Sequence, residues 1–405
     1  MPDPPPVPEM PSIVVLPFQN LSADPKQEYF SDSIVEEITT ALSRFRSLFV
    51  ISRNSAFTYK GRAVDVRQVG RELGVRYLLE GSVRKAANRV RITGQLIEAE
   101  SAAHLWADRF DGTPEDIFDL QDQVTSSVVG AISPALEQAE IDRVKRKPTG
   151  SLGAYDYFLR GRAALHEGSV QGHKDALQLF YRAIELDPDF ASAYGMAAYS
   201  YCHRKTNGWM IDRDEEIAET ARLARRAMEL DKDDAVALSC GGFALAYVGE
   251  LDAGVAFIDR ALLLNPNLAT AWIVSGWVRV WLGEPEIAIE HLARAMRLSP
   301  LDPLINRTRT TTAHAHFFAG RYDEALSWAA MALREWPDYQ TALRIAAASN
   351  ALAGRVEEAK KARERLRKLD PKLRISNLED ELGPYHRPQD IVRYADGLRA
   401  AGLPH

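Results

Sequence analysis

Two hydrophobic patterns divide the chain near residue 150. Before that point, short apolar runs alternate with segments in which apolar residues recur every three to four positions, which predicts strands alternating with helices. The predicted strands are "SIVVLPF" (12–18), "LFVIS" (48–52), "RYLLEGSVRK" (76–85), "RVRITGQLIEA" (89–99) and "HLWADRFDG" (104–112). After Ser151, Ala and apolar residues follow a helical period throughout. We therefore expect a small α/β domain, a mixed sheet with helices, followed by an all-α domain.

Three helices are predicted within the first domain. Phe30, Ile34, Ile38, Leu42 and Phe45 share one helical face, and Ser33 with Glu36 has the spacing of a capping box. A short helix in "DVRQVGRELGV" has Asp65 in position to cap its start and Gly74 to end it. The third helix is expected from about Pro114 to Ala139, followed by a basic linker, "VKRKPTG", at 144–150. Residues 1–11 read as an extended Pro-rich leader, so the α/β domain is assigned to 12–147.

One predicted strand has a buried face and a solvent-exposed face. Val90, Ile92 and Leu96 alternate with Arg89, Arg91, Thr93 and Gln95. Because neighbouring side chains of a strand point to opposite sides of the sheet, the apolar set faces a core and the polar set faces solvent.

Prolines mark an internal repeat in the second domain. The segments "AIELDP", "ALLLNP", "AMRLSP", "ALREWP" and "RLRKLDP" end at Pro188, Pro266, Pro300, Pro337 and Pro371. Thirty-four residues separate Pro266 from Pro300 and Pro337 from Pro371, and Lys232 occupies the position 34 residues before Pro266. A 34-residue period of two helices is the tetratricopeptide period.

Residues 269–300 resemble the tetratricopeptide (TPR) repeat most closely. Trp272, Gly276, Gly283, Ala288, Ala295 and Pro300 stand at the marker positions, whereas Arg279 replaces the usual aromatic residue. The resemblance implies about six repeats over 151–371 that stack into a superhelical solenoid. "QDIVRYADGLRAAGL", within 372–405, is expected to supply a capping helix.

The first domain resembles the TolB amino-terminal-like domain. "VVLPFQNLSADPKQEYFSDSIVEEITTALSR", "VGRELGVRYLLEGSVRK" and "RITGQLIEAESAAHLWADRFDG" carry this resemblance over nearly all of 12–140. In bacterial proteins this domain followed by TPR repeats forms the carboxy-terminal half of many class III adenylate cyclases, and it is also attached to winged-helix regulators and protein kinases. A catalytic or DNA-binding head would precede residue 12, where this sequence has about a dozen residues.

The loop after the first strand does not have the composition of a phosphate-binding loop. Such loops use glycines so that backbone N–H groups can surround the anion, but the first glycine of this chain is Gly61. Asp24 and Glu28 would repel a phosphate and face the single Lys26. The strand also ends in Pro17 and Phe18, without the carboxylate that cyclase metal binding requires. We expect a structural role: Pro17 ends the pairing, Phe18 anchors the loop and Asn20 bonds local backbone.

The other residue patterns that could indicate metal binding or catalysis are weak. His314 and His316 are two residues apart, which places them on different faces of a helix. The acidic residues of "PEDIFDLQDQ" (Glu115, Asp116, Asp119, Asp122) suit the first turns of a helix, where the helix dipole favours negative charge. No G-x-S-x-G elbow is present, and the two cysteines, Cys202 and Cys240, form no CxxC pair. We expect no catalytic residue, cofactor or metal.

Composition narrows the choice of partners. The chain has 405 residues, 46% of them hydrophobic and 26% charged, as in soluble globular proteins. A net charge of −6 disfavours direct binding to nucleic acid, and we find no secretory signal and no apolar run near the 18 residues of a membrane helix. These features favour a cytoplasmic bacterial protein.

The predicted partner site is the concave TPR groove, which the first helix of each repeat lines. Aromatic residues recur there with helical spacing: Tyr199, Phe243, Tyr247, Trp277, Trp281, His314 and Phe318. Exposed rings would bind an apolar or helical segment of a partner. In a second interpretation the rings pack between repeats, and in a third the groove is filled by the chain's own termini or by a second copy. Ser239, Phe243, Ile273 and Trp277 stand where chaperone-tail-binding TPR domains use Lys and Asn, so that specificity is not expected.

The sequence therefore favours a non-catalytic interaction and regulatory module of a bacterial signalling system, linked to a cyclase. One alternative is an adenylate cyclase, or a piece of one, whose catalytic head is absent from this sequence. Another is the partner subunit of a transcription regulator. The partner, the signal sensed and the oligomeric state are left open.

Overall fold

A computed structural model describes residues 7–8, 10–22, 28–62, 65–86, 89–112, 117–147, 152–299, 302 and 304–405. Within these ranges the chain folds into two compact units, Met1–Ser151 and Leu152–His405. Most of the expected leader, the turn at 87–88, part of the 144–150 linker, Asp24, Lys26, Glu115, Asp116 and Pro300 lie outside the described residues, as does the side chain of Asp119.

A mixed sheet forms the centre of the first unit. Its strands are β1 (Ser12–Val15), β2 (Gln19–Asn20), β3 (Phe49–Val50), β4 (Tyr77–Ala86), β5 (Arg89–Glu98) and β6 (His104–Gly112). The order is β3-β1-β4-β5-β6, and β2 also pairs with β4. Strand β4 pairs in parallel with β1 and β2 but antiparallel with β5, which in turn pairs antiparallel with β6. The predicted mixed sheet is therefore confirmed.

Helices cover both faces of this sheet. They are α1 (Glu28–Leu42), α2 (Arg53–Ala56), α3 (Val66–Leu73) and α4 (Ile117–Arg146). Ile13 and Val15 pack into one core with α1 and α4, whereas Val14 joins a second core with Val69 of α3. Alternate residues of β1 thus enter opposite cores, which explains why the strand is apolar without interruption.

The loop that follows β1 has the structural role expected from its residues. The Leu16 N–H donates to the Leu79 carbonyl at 2.8 Å, and β1 ends before Pro17. Phe18 is buried, and the Ser22 N–H donates to Asn20 Oδ1 at 2.9 Å. Pairing with β4 then resumes at β2, a short strand that the sequence pattern did not indicate.

Local helix signals in the first unit are confirmed in part. Asp65 caps α3 by accepting from the Arg67 N–H, and Gly74 ends that helix in the left-handed region at φ 64°. The capping box at Ser33 and Glu36 was wrong, because α1 begins at Glu28 and both residues lie inside it. The helix expected to end at Ala139 continues to Arg146, because its last turns bury Glu140 and Val144.

Twelve helices of the second unit form six antiparallel pairs that stack as a TPR-like solenoid. The pairs are α5 (Ala154–His166) with α6 (Val170–Leu186), α7 (Ala191–Thr206) with α8 (Arg213–Leu230), α9 (Ala235–Tyr247) with α10 (Leu251–Leu264), α11 (Ala269–Leu282) with α12 (Pro285–Leu298), α13 (Ile305–Phe318) with α14 (Tyr322–Glu335), and α15 (Gln340–Leu352) with α16 (Val356–Leu369).

Small residues allow the helices of a pair to approach closely. A Cβ atom placed on Gly276 of α11 would lie 2.6 Å from the Leu292 side chain of α12. Gly283 ends α11 in the left-handed region at φ 77°, and Trp272 Nε1 donates to the Pro266 carbonyl at 2.9 Å. These contacts give a physical reason for three of the TPR marker residues.

The last residues fold back over the solenoid. We call residues 373–405 the C-terminal segment; it contains a 3₁₀ helix (Ile375–Asp380), a crossing stretch at 381–387 and α17 (Pro388–Ala400). Helix α17 packs on α15, and Tyr394, Leu398 and Leu403 are buried. None of the described helices is long and apolar enough to span a membrane.

Candidate functional site: the inner face of the TPR solenoid

The first helices of successive pairs form a continuous aromatic surface, which we call the inner face. The ring of Tyr199 on α7 lies 5.6 Å from that of Phe243 on α9, and Phe243 lies 5.3 Å from Trp281 on α11. Trp277 continues the row at 4.9 Å from His314 of α13. Five of the seven predicted site residues thus form one chain of ring contacts across four helices.

The remaining two rings flank this chain. Tyr247 packs against Phe243 at 5.8 Å and against Trp281 at 5.3 Å. Phe318 contacts Tyr385 of the C-terminal segment at 5.1 Å. All seven residues predicted from the sequence therefore lie on the inner face or at its border.

These rings are not open to solvent in this structure. Tyr199, Phe243, Tyr247, His314 and Phe318 are at most 7% exposed and Trp281 is 2% exposed, while Trp277 is half-buried. Contacts between repeats bury part of their surface, and the C-terminal segment covers another part. The structure thus agrees with the interpretations in which these rings pack between repeats and are covered by the chain's own C-terminus, and their binding of a partner stays a prediction.

The inner face holds the C-terminal segment through its main chain. Lys205 Nζ on α7 donates to the Leu382 carbonyl at 2.7 Å, and the Tyr247 hydroxyl on α9 donates to the Glu381 carbonyl at 2.6 Å. The His386 N–H donates to the Trp281 carbonyl of α11 at 2.8 Å. These hydrogen bonds involve only main-chain atoms of the segment, so a peptide of different sequence could form them.

Shape complementarity restricts one position of the segment. A Cβ atom on Gly383 would lie 2.2 Å from the indole of Trp281, closer than any real contact. Further along, Tyr394 of α17 packs against His314 at 5.7 Å and against Phe317 at 5.5 Å. The segment is therefore seated on α11 and α13 by close packing as well as by hydrogen bonds.

A buried ion pair fixes the crossing stretch to α15. Arg344 Nη1 lies 2.5 Å from Glu381 Oε2, with the Arg344 side chain 0% and the Glu381 side chain 11% exposed. Arg344 Nη2 also donates to the Thr206 carbonyl of α7 at 2.7 Å. Burial raises the pKa of Glu381 to about 7, an effect that a hydrogen bond to Asp370 reinforces and Arg344 opposes.

Lys205 is a second buried cation of the inner face. Its ammonium lies 4.4 Å from the centre of the Tyr247 ring, within the range of a cation–π contact. Burial lowers the pKa of Lys205 to about 8, because the charged ammonium loses hydration.

Arg307, near the start of α13, is a third buried cation with a different environment. It is 3% exposed, its Nη1 donates to His203 Nε2 at 2.9 Å, and its guanidinium carbon lies 5.9 Å from the Tyr199 ring centre. Its Nε and Nη2 are buried without a hydrogen-bond partner. Among the residues that the structure describes, no carboxylate lies within ion-pair distance of Arg307.

Metal ligation has no support in the described part of the chain. His314 is buried and bonds to the Thr310 carbonyl at 2.8 Å and the Tyr394 hydroxyl at 3.4 Å, whereas His316 is half-buried. No cluster of three His, Cys, Asp or Glu side chains in the described ranges is placed to hold a metal ion. Cys202 and Cys240 are both buried free thiols.

Sequence reasoning missed the charged residues of the inner face. Lys205, Arg307 and Arg344 each lie on the first helix of a pair, and Glu381 lies in a stretch without a periodic pattern. A usable signal was present in α15, where Arg344 interrupts the otherwise apolar and small residues of "ALRIAAA". No corresponding signal pointed to Glu381 or Gly383.

Taken together, fold and site define a protein that joins a small mixed-sheet domain to a TPR solenoid, a class suited to protein interaction. Residues 9–127 match the family model of the HilA/YgeH-like transcriptional regulator, second domain. A protein of Rhizobium meliloti (strain 1021) named "Putative adenylate cyclase 3" is 41% identical over 249 residues. That match covers 62% of this chain and 42% of the relative, so the chain spans less than half of the relative's length.

Solved structures resemble this chain at low sequence identity, and the likeness concerns the fold alone. YrrB, described as "a TPR protein with an unusual peptide-binding site", is 22% identical with a TM-score of 0.31, and the match covers 48% of this chain and 93% of YrrB. A thermophilic TPR protein of Thermus thermophilus, TTC0263, is 21% identical with a TM-score of 0.36, covering 48% and 97%. The APC/C hetero-tetramer Cut9-Hcn1 is 16% identical with a TM-score of 0.44, covering 71% and 49%.

Proposed function

We propose that this protein is a non-catalytic interaction and regulatory module of a bacterial signalling system, which binds a segment of a partner protein in the TPR groove. The observation that carries the proposal is that the inner face already holds a peptide, the crossing stretch of the C-terminal segment. Lys205, Tyr247 and the Trp281 carbonyl bind the main chain of that stretch. A groove that recognises a peptide backbone can accept a second peptide once the first has left.

The seven aromatic residues act in this proposal as the apolar floor of the groove. They are Tyr199, Phe243, Tyr247, Trp277, Trp281, His314 and Phe318. Large rings supply much of the binding energy at protein interfaces, because they bury a wide apolar surface at low entropic cost. In the closed state the C-terminal segment protects this surface from water.

The proposed system is one that includes a cyclase, acting in the cytoplasm. Similarity to the Rhizobium meliloti protein supports this link. We also propose that the first unit is a TolB amino-terminal-like domain, as its sequence motifs suggest. In this proposal catalysis belongs to another domain or another protein.

A second candidate is the partner subunit of a transcription regulator. The match of residues 9–127 to the second domain of HilA/YgeH-like regulators favours it. Both candidates assign the TPR solenoid the same task, which is to bind a protein segment and relay that event to an output elsewhere.

The test uses the full chain with Gly383→Ala, which weakens the docked segment without altering any groove residue. A fluorescent peptide with the sequence of residues 376–387 is titrated into this variant and into wild type, and anisotropy is measured. We expect at least tenfold tighter binding to the variant, because the groove of wild type is occupied. Absence of binding to a variant whose segment is shown by hydrogen exchange to be released would overturn the proposal.

A cyclase assay on the same purified chain tests the absence of catalysis. ATP and GTP are supplied with Mg²⁺ or Mn²⁺, and cyclic nucleotide is measured. We expect none above the no-protein control, and formation of either cyclic nucleotide would contradict the non-catalytic assignment.

A further inference from the structure

Main-chain hydrogen bonds hold the crossing stretch on both sides of residues 383–385. Tyr247 and Lys205 donate to the carbonyls of the two residues that precede them, at 2.6 and 2.7 Å. The N–H of the residue that follows them donates to the Trp281 carbonyl at 2.8 Å. A peptide that keeps these bonds therefore presents its own three residues at the same three places on the inner face.

The first of these places has room only for glycine. A Cβ atom on Gly383 would lie 2.2 Å from the Trp281 indole, and two further atoms of the indole would lie within 2.5 Å of it. Trp281 is 2% exposed and stacks on Phe243 at 5.3 Å, so neighbouring rings oppose a movement of the indole. A residue with a side chain would have to displace a packed ring, which is costly in a close-packed interior. The groove thus selects glycine by shape.

Proline at the second place stabilises a tight turn. The Tyr385 N–H donates to the Gly383 carbonyl at 3.0 Å, which closes a three-residue γ-turn centred on Pro384. Proline presets the backbone angle φ close to the value that such a turn uses, and it has no N–H group that would need a partner in the groove. A free peptide with proline at this place also loses less conformational freedom when it binds.

The turn places an aromatic residue against α13. The ring centres of Tyr385 and Phe318 lie 5.1 Å apart at an angle of 49° between the ring planes, a favourable arrangement for two aromatic side chains. Phe318 is one of the seven aromatic residues of the groove and is 7% exposed. Departure of the crossing stretch removes this ring contact, and an aromatic side chain of another peptide can restore it.

We propose that the partner protein binds the groove through a Gly-Pro-aromatic turn, with its glycine against Trp281 and its aromatic ring on Phe318. This inference rests on the proposed function and specifies the chemistry of the partner. The stretch 383–385 is an internal copy of this motif. A tethered copy has an effective concentration in the millimolar range, so it competes with the partner and sets the concentration at which the partner binds.

The test compares peptides with the sequence of residues 376–387, each titrated into the full chain that carries Gly383→Ala, with anisotropy as the readout. The peptide variants are Gly383→Ala, Pro384→Ala and Tyr385→Ala, and Glu379→Gln is the control because Glu379 is exposed in the docked segment. We expect Gly383→Ala and Tyr385→Ala to weaken binding about tenfold or more, and Pro384→Ala about threefold. The control peptide should bind like the native one.

A groove variant connects the preference for glycine to Trp281. In the same chain Trp281→Leu removes the indole, so the native and Gly383→Ala peptides should bind with affinities within about threefold of each other. The ratio of the two affinities does not depend on the chain's own segment, because both peptides compete with it equally. Should Trp281→Leu fold poorly, Trp281→Phe frees part of the same space and should also lower the ratio. A tenfold preference for glycine that persists in both variants would overturn the role of Trp281.

The outcomes separate this inference from the proposed function. If the native, Gly383→Ala and Tyr385→Ala peptides bind equally well, the motif is wrong, although the proposed peptide-binding function stands. If no peptide binds a groove whose segment is shown by hydrogen exchange to be released, the proposed function itself fails. Light scattering on wild type tests a second copy as the source of the motif: a dimer that the native peptide dissociates would overturn the assignment to a partner protein.

Discussion

Arg344 and Glu381 are 37 positions apart in sequence and meet in a buried ion pair, with Arg344 Nη1 2.5 Å from Glu381 Oε2. The guanidinium simultaneously binds the Thr206 carbonyl, which belongs to α7. One side chain of α15 therefore joins the second helix pair, the sixth helix pair and the C-terminal segment. Loss of this side chain should affect all three.

Arg344→Met is expected to lower the free energy of unfolding by about 2–3 kcal/mol, because the Glu381 carboxyl and the Thr206 carbonyl lose their buried donor. The double variant Arg344→Met with Glu381→Met should recover a large part of the loss, since both buried charges are removed. Urea denaturation followed by far-UV circular dichroism measures both. Equal stability of the single and double variants would show that Glu381 carries no cost once Arg344 has been removed, contrary to this expectation.

Arg307→Met is expected to change the free energy of unfolding far less than Arg344→Met. No described carboxylate depends on Arg307, so removing it abandons no buried anion; the loss of its bond to His203 offsets part of the gain from removing a buried charge. We expect a change of about 1 kcal/mol or less in the same assay. A loss as large as that of Arg344→Met would indicate an anionic partner for Arg307 within the folded chain.

Docking of the C-terminal segment should weaken as pH rises from 5 to 8. Burial raises the pKa of Glu381 from 4.5 to about 7, so the folded state holds a proton that the unfolded state releases. The stability from this carboxyl is complete below pH 4.5 and is lost as pH passes 7. Arg344, Lys205 and Asp370 face the group, and Lys205 titrates near pH 8, above most of this window.

Hydrogen exchange of the backbone amides of residues 375–400 measures this weakening of docking, once the rates are corrected for their intrinsic pH dependence. The readout is the difference between wild type and Glu381→Gln, because that difference isolates the carboxyl from other titrating groups. We expect protection in wild type to fall relative to the variant as pH rises. A constant difference between pH 5 and pH 8 would mean that Glu381 keeps the same protonation state throughout.

Buried histidines should make the TPR unit sensitive to acid. Burial lowers the pKa of His173 and His314 to about 3, and that of His203 well below its ordinary value of 6.5. Each buried, neutral histidine therefore contributes to the free energy of unfolding above pH 6.5. This contribution is lost as the pH falls, by up to about 1.4 kcal/mol per pH unit for each ring. Unfolding free energies of wild type and His173→Gln between pH 7 and 5 test this, with the exposed His386→Gln as the control. Parallel pH profiles for wild type and His173→Gln would contradict it.

Local patterns in the sequence predicted the helices and the repeat because those features depend on contacts near in sequence. Gly276 and Ala288 indicate close helix packing within one pair, and 34-residue spacing indicates a stack. The C-terminal segment fills the groove through contacts between residues far apart in sequence, such as Lys205 with Leu382 and Tyr247 with Glu381. Since the segment contributes carbonyl oxygens to these bonds, no side-chain pattern could reveal them.

Charged residues on the inner face show a second limit of sequence reasoning. An arginine in an apolar helix usually extends its apolar stem along the core and leaves its charge in water. Arg307 and Arg344 are both enclosed: Arg307 packs against His203 and Tyr199 of α7, and Arg344 lies between the Thr206 carbonyl of α7 and Glu381 of the C-terminal segment. Enclosure is a property of the assembled superhelix, and the position along one helix does not report it.

The first unit contains a comparable buried charge at the end of α4, in a stretch that the sequence pattern placed beyond the helix. Glu140 is 0% exposed and accepts from Arg76 Nη1 at 2.9 Å, from the Tyr77 hydroxyl at 2.9 Å and from Arg143 Nε at 2.8 Å. It thereby joins the last turns of α4 to the start of β4, and it explains why the helix does not end at Ala139.

Glu140→Ala should therefore destabilise the first unit by about 3 kcal/mol or more, because two guanidinium groups and a hydroxyl lose their common acceptor. Glu140→Gln, which keeps the size and one acceptor, should cost less. Hydrogen exchange of β4 and α4 locates the effect, and exchange of α5–α16 in the same sample serves as the internal control. If the loss of protection extended equally over α5–α16, the two units would unfold together, and the local role assigned to Glu140 would be wrong.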